Sequence, residues 1–292
     1  MSEQRRLPEW LTKPIADPAR TKRVRDMLAE TGLNTVCNEA RCPNRVDCFS
    51  RGTATFLILG DSCTRDCRFC AVEHGGGRAP DPDEPRRVAE AVKSLGLSYI
   101  VITSVTRDDL PDGGASHFAA TVRAIHELCP ETGVEVLVPD FGGDLAAVDT
   151  VLASRPDVFG HNLETVRRLY KTARAGADYE RSLAVLRHAA CSPEAPLVKS
   201  AVMVGLGEMR LELDGAFMDL KRAKVDVVYV GQYLQPTREH LPVARFIPPA
   251  EFEAVKRWCE QLGFAWVSSG PFVRSSYEAE KVVDELGVIV GA

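Results

Sequence analysis

The chain lacks any run of eighteen apolar residues, and its first stretch, MSEQRRLPEW, has no apolar segment of the kind that directs secretion. A cytoplasmic protein with no membrane association is therefore expected. It also lacks an excess of positive charge. Against 41 aspartates and glutamates stand 36 lysines and arginines, a net charge of -5, which argues against nucleic acid or an anionic membrane surface as a partner. No internal repeat, low-complexity tract or Pro/Gly-rich linker divides the 292 residues, so one domain with extensions is preferred over two. A Gly-rich dinucleotide fingerprint after the first apolar run is missing as well.

What the chain does have is cysteine. Six of its nine cysteines fall between residues 37 and 70. In a reducing compartment such density points to metal ligands or catalysts, not disulfides. Cys129, Cys191 and Cys259 stand singly and read as small hydrophobes.

From residue 54 onward, apolar runs alternate with amphipathic stretches. Residues 54–60, 98–105, 134–140, 157–164, 197–205 and 226–234 read as buried strands. Helical patterns separate them, and a sixth, EFEAVKRWCEQLG, follows the last. Repeated strand-then-helix units imply parallel strands with right-handed crossovers. The expected fold is α/β, a partial (β/α)6 TIM-like barrel over 54–270 with an N-terminal extension at 1–53 and a C-terminal tail at 271–292. A doubly wound open sheet is the competing architecture. Either one places ligand sites at the C-terminal ends of the strands.

Cys63, Cys67 and Cys70 occupy the loop after the first predicted strand. The spacing C-x3-C-x2-C supplies three soft thiolates from one loop, which suits a four-iron cluster with one iron left open for a chelating small molecule. A zinc site completed by His74 is the alternative, but structural zinc normally uses C-x2-C pairs. Upstream, Cys37, Cys42 and Cys48 form a second three-thiolate set, C-x4-C-x5-C. Zinc with a remote fourth ligand, or plain packing, are its alternatives.

With Phe69 one place before Cys70, the loop CTRDCRFC resembles the C-x3-C-x-aromatic-C signature of the radical S-adenosylmethionine (SAM) superfamily. That resemblance implies SAM chelated to the open iron and cleaved by one electron to methionine and a 5′-deoxyadenosyl radical. Such a radical abstracts hydrogen from unactivated carbon, so the cofactor carries the hard chemistry. The likeness narrows further. CNEARCPNRVDC, ATFLILGDSCTRDCRFCAV, SVTRDDLPDGGASHF, HNLET, KSAVMVGLGE, GQYLQPT and GPFVRSSYEA resemble, in order, the blocks of the lipoyl synthase family over about residues 31–279.

The resemblance implies a SAM-binding [4Fe-4S] cluster on Cys63, Cys67 and Cys70. It implies a second, auxiliary [4Fe-4S] cluster on Cys37, Cys42 and Cys48, closed by a serine of RSSY, with Ser275 favoured over Ser276. The auxiliary cluster would supply two sulfur atoms to C6 and C8 of an octanoyl-lysine at the expense of two SAM molecules. Implied partners are octanoylated carrier domains (2-oxoacid dehydrogenase E2 subunits, the glycine cleavage H protein), an electron donor such as ferredoxin or flavodoxin, and iron–sulfur assembly proteins. Candidate SAM contacts at the strand ends are Phe69, Thr103, Asp112, Gly113, Gly114, Asn162, Glu164, Arg174, Lys199 and Gln232. No histidine is given a catalytic role. A biotin synthase or methylthiotransferase would space its cysteines differently, and a ferredoxin-like carrier would bind every iron through cysteine.

Overall fold

The computed structural model describes residues 7–13, 18–193 and 195–287. Its eight-stranded sheet runs β1 (Asn34–Thr35), β2 (Thr55–Ile58), β3 (Tyr99–Ser104), β4 (Gly133–Leu137), β5 (Val158–Gly160), β6 (Leu197–Val204), β7 (Val227–Gln232) and β8 (Trp266–Gly270), neighbours in space following their order in the chain. β1 pairs antiparallel with β2, and every other pair is parallel. A doubly wound sheet reverses its strand order at a switch point. This sheet never does, which removes that competitor and leaves the open, partial barrel.

All six predicted strands are present, the two-residue β1 is an addition, and β8 is another. Its sequence, WVSSG, carries only two apolar residues and escapes a search for apolar runs. Strand ends are shorter than expected. β2 stops at Ile58 because Leu59 and Gly60 turn to φ of 67° and 96°, a left-handed conformation that cannot continue a strand and sends the chain into the cysteine loop. β5 keeps only three ladder residues before an isolated bridge from Glu164 to Val202.

The crossover helices are α4 (Glu84–Leu95), α5 (Ala115–Leu128), α6 (Leu145–Leu152), α8 (Tyr179–Ala190), α9 (Arg210–Arg222) and α10 (Pro249–Gln261), with one-turn α7 (Tyr170–Ala173) between β5 and α8. Their boundaries follow local chemistry. α4 has Pro85 in its first turn and left-handed Gly96 at its end, while Asp144 and Asp178 accept backbone N–H bonds at the starts of α6 and α8. These helices bury one face of the sheet through Phe56, Ile58, Ile100, Ile102, Val134, Val136, Val228 and Val230.

The opposite face meets the C-terminal segment. α11 (Glu280–Leu286) sets Val283 and the preceding Ala279 among Tyr99, Val101 and Val158, and Val282 among Ala201, Val227 and Tyr229. Residues 279–283 thus pack on the inner face of the open barrel. In the N-terminal region, which folds as α1 (Lys22–Thr31), α2 (Val36–Glu39) and α3 (Arg45–Ser50), residues at and beside α3 hold this tail. Asn44 Nδ2 donates to the Phe272 carbonyl at 2.7 Å, and the Tyr277 hydroxyl donates to Asp47 at 3.0 Å. No helix among the described residues is long and apolar enough to cross a membrane.

Candidate active site

A cavity of about 450 Å³ opens at the C-terminal ends of the strands, lined by Cys63, Cys67 and Cys70 and, among others, Thr103, Asn162 and Glu164. The cysteine loop is held from three sides. The Cys63 thiol accepts backbone N–H bonds from Thr106 (3.3 Å) and Arg65 (3.5 Å), the Arg68 amide donates to Ala173 of α7, and His240 donates Nε2–H to the Cys70 carbonyl at 2.8 Å. Arg65, itself between two of the cysteines, forks onto Asp108 (2.7 and 2.8 Å) and reaches Asp140 at 2.7 Å. Although burial opposes it, the Arg65 guanidinium holds the Asp140 carboxyl down at about 2, so this anchor stays ionised at neutral pH. Burial pushes the thiols of Cys67 and Cys70 up to about 11 and about 12. Iron must therefore displace protons from this loop.

A second, smaller cavity of about 50 Å³ adjoins the first and is lined by Cys37, Cys42 and Cys48 with Thr55, Arg274 and Ser276. Cys42, Arg274 and Ser276 line both cavities. Burial raises Cys37 to about 12 and Cys48 to about 11. Among the described residues, no three His, Cys, Asp or Glu side chains gather around a single metal-ion position. A zinc site would require such convergence, whereas a cluster bound one thiolate per iron needs its ligands spread apart. His74, the alternative fourth zinc ligand, is exposed and lies 3.7 Å from Asp66.

The two serines of RSSY part company here. Ser275 lines only the larger cavity and accepts a 3.4 Å bond from Asn162 Nδ2, whereas Ser276 lines the small cavity with the three cysteines and is hydrogen-bonded to Thr55 Oγ1 at 2.9 Å.

Among the SAM-contact candidates, Phe69, Thr103, Asn162, Glu164 and Arg174 line the large cavity. Asn162 Nδ2 donates to Glu164 at 2.9 Å, while its Oδ1 is buried and has no partner, an acceptor that a bound ligand could satisfy. Glu164 sits at φ 69°, and burial raises its pKa. Arg174 reaches Tyr170 and Ser182 through Nη1. The other five candidates do not line the cavity. Asp112 accepts backbone bonds from Gly114 (2.9 Å) and Ser116 (2.8 Å), fastening the turn into α5, and left-handed Gly113 and Gly114 make that turn beside Phe141 and Leu59. Gln232 is buried with its amide donated to three carbonyls and its oxygen accepting from Ile247.

Lys199 is the most instructive departure. Its ammonium is buried against Glu135 at 2.8 and 2.9 Å, with Tyr99 donating to the same carboxylate and the Tyr229 ring 4.2 Å away. Side-chain alternation points Lys199 inward below the cavity floor, where burial lowers its pKa and Glu135 raises it. Lys199→Met would leave Glu135 buried without its cation, an expected loss of about 3–5 kcal/mol. Urea unfolding checks this, and the double variant with Glu135→Gln should recover much of the loss. If Lys199→Met unfolded at the parent's midpoint, the pair would have no structural role.

Sequence reasoning passed over Arg65, Asp140 and Tyr229 and gave His240 no catalytic role, because each acts through a partner remote in the chain. The profile of the Radical SAM superfamily matches residues 57–220. The lipoyl synthase of Desulfotalea psychrophila is 51% identical over 283 residues, covering 96% of this chain and 95% of that protein. That of Thermus thermophilus is 52% identical over 280 residues, covering 95% and 87%. The chain belongs to the lipoyl synthase family. SAM and a [4Fe-4S] cluster are the cofactors of the superfamily, and the loop carrying Cys63, Cys67 and Cys70 lies inside the matched region. In architecture the chain is similar to Streptococcus suis SuiB bound to S-adenosylmethionine (TM-score 0.56, 14% identity, 77% of this chain and 54% of that one). It is also similar to the hydrogenase maturase HydG (TM-score 0.53, 15% identity, 80% and 63%). At such identities the likeness concerns the fold alone. Within the lipoyl synthase family, the small cysteine-lined cavity is the feature that the superfamily match does not cover, since Cys37, Cys42 and Cys48 precede residue 57.

Proposed function

We propose that this chain is a lipoyl synthase, inserting two sulfur atoms at C6 and C8 of a protein-bound octanoyl-lysine at the cost of two SAM molecules. The reading is carried by one observation, that the two cysteine triads line two adjoining cavities with Cys42, Arg274 and Ser276 common to both. A carbon activated in one could thereby meet sulfur held in the other. When bound, SAM on a four-iron cluster supplies hydrogen abstraction from unactivated carbon, and a second four-iron cluster supplies sulfur.

The chain's own residues do the rest. Cys63, Cys67 and Cys70 would hold the SAM cluster, and Asn162, Glu164 and Arg174 offer SAM's polar groups an unpartnered acceptor, a carboxylate and a guanidinium. Thr103 and Phe69 shape the wall. Apolar lining from Leu57, Leu137, Ala201, Met203 and Tyr229 suits an acyl chain and excludes water from a reactive carbon. Cys37, Cys42 and Cys48 would hold the auxiliary cluster. Position favours Ser276 over Ser275 as its fourth ligand, with Ser275 hydrogen-bonding Asn162. An oxygen ligand matches iron less well than a thiolate, which makes that corner the place to open. Asp112, Gly113, Gly114, Lys199 and Gln232 support the barrel without touching SAM.

As partners we propose octanoylated carrier domains, a ferredoxin- or flavodoxin-type electron donor and iron–sulfur assembly proteins, all in the cytoplasm.

The deciding experiment is anaerobic reconstitution with SAM, a reductant and an octanoyl-lysyl peptide, following peptide mass together with 5′-deoxyadenosine. Gain of two sulfurs with loss of hydrogen is expected. SAM cleavage with an unchanged peptide, once iron analysis shows both clusters loaded, would reject the substrate. In the same assay Ser276→Ala should keep SAM cleavage and lose sulfur insertion, with Ser275→Ala much less affected. The reverse order would make Ser275 the ligand.

A further inference from the structure

Resting on the two-cluster reading above, we propose that Arg274 is the charge-compensating residue of the auxiliary site, a buried guanidinium that sets the potential of the cluster held by Cys37, Cys42 and Cys48. The argument begins with charge. A [4Fe-4S] core in its usual resting state carries 2+, and three thiolates plus a serine alkoxide bring the site to a net charge of 2−. Placed under a protein surface, such an anion calls for a nearby cation, and the net charge and hydrogen bonds around a cluster are among the factors that fix its potential.

Two arginines are near enough to serve. Arg51 Nη2 approaches the Cys48 sulfur at 3.8 Å, but its guanidinium also faces Asp47 (3.4 Å), Glu278 (3.6 Å) and Glu280 (3.7 Å). Three carboxylates more than offset that charge. Arg274 differs. It makes no ion pair among the described residues, and its one hydrogen bond there goes to the neighbouring Val273 carbonyl at 2.7 Å. It lines the small cavity with all three cysteines and also the wall of the larger one. Glu164 acts on it through space without forming an ion pair and is shared with Arg174, so the buried guanidinium keeps positive charge for a further anion. An arginine stays protonated throughout, so its compensation is permanent.

Its position is built, not incidental. Gly231 leaves room for it, since a Cβ there would lie 3.2 Å from Arg274 Nη1 and 2.0 Å from the Val273 oxygen. The neighbouring serines continue the division: Ser275 toward Asn162 and Ser276 toward the cysteines.

The test is a redox titration of the auxiliary cluster, followed by electron paramagnetic resonance, in the reconstituted parent and in Arg274→Gln, Arg274→Lys and Arg257→Gln. The last removes an exposed charge from the outer face of α10. Arg274→Gln should move the potential to a lower value, because reduction adds a negative charge that is no longer compensated. Arg274→Lys should return it close to the parent, and Arg257→Gln should leave it there. An unmoved potential in Arg274→Gln overturns the proposal, as does an equal shift in the lysine and glutamine variants, which would assign the effect to the fork geometry and not to charge. If Arg274→Gln did not load iron, Arg274→Met would replace it as the neutral variant, with the same lower potential expected and an unmoved one overturning the proposal. A parent chain binding only four irons would instead overturn the two-cluster reading, a result separable from any failure of Arg274.

Discussion

Replacing Cys67 by alanine is expected to reduce 5′-deoxyadenosine formation to less than about one-hundredth of the parent rate, the largest single effect predicted for this chain. Cys67 is one of three thiolates offered by a single loop, and the small cavity's cysteines belong to a different part of the chain. With only two of the three proposed ligands left, the cluster would lose a corner, and the chelating position for SAM would go with it. The fold should survive. The loop is pinned through main-chain atoms, with the Cys70 amide donating to the Cys67 carbonyl and Arg68 to Ala173, and neither bond needs the Cys67 side chain. Anaerobic product analysis with iron counting checks this. Continued SAM cleavage by a variant with an empty loop would mean that the radical mechanism assigned to this site is wrong.

Gly231→Ala should have the second largest effect, and a different one. Gly231 is the residue of β7 that the Val273 carbonyl crosses, and a Cβ would stand 2.0 Å from that oxygen. Backbone cannot yield as a side-chain tip does, so either the strand or residues 273–276 must move, at a cost of about 1–3 kcal/mol. The strand is paired on both sides, to β6 and β8, and the tail is the softer partner. A displacement of about 1 Å at the serine would cut sulfur insertion by about 100-fold while SAM cleavage continues. Following both products in one reaction separates the outcomes. Insertion at the parental rate would show that the close approach of the tail to β7 is dispensable.

The two predictions divide along a line that also separates what could be read from the linear chain. CTRDCRFC announces its chemistry because its ligands are local: three thiolates within eight residues need only one loop, and the loop's place after an apolar strand already puts it at the functional edge of a parallel sheet. Alternation likewise reveals six strands, each a continuous apolar run buried on both faces. β8 was illegible because three of its five residues are serine or glycine, and it belongs to the sheet through pairing with β7. Lys199 misled for a related reason. A lysine at the end of an apolar run resembles a ligand contact, but Lys199 is the third residue of β6, deeper in the barrel than Ala201 and Met203 of the cavity wall, and there it meets Glu135 on β4 as half of an interior ion pair.

By itself, then, the sequence determined the two cysteine triads and their spacing, the alternating α/β architecture and the family, since these depend on residues close together in the chain or on long unbroken blocks. Tertiary structure alone decided that Ala279, Val282 and Val283 pack on the inner face of the barrel, that Ser276 and not Ser275 joins the small cysteine cavity, and that Arg274, without an ion pair among the described residues, lines two cavities. The last two facts join residues more than two hundred positions apart. Their proximity is set by the apolar packing of Ala279, Val282 and Val283 against the sheet and by the clasp of Asn44 and Asp47 on the tail, contacts that leave no periodicity or spacing in the chain to be read.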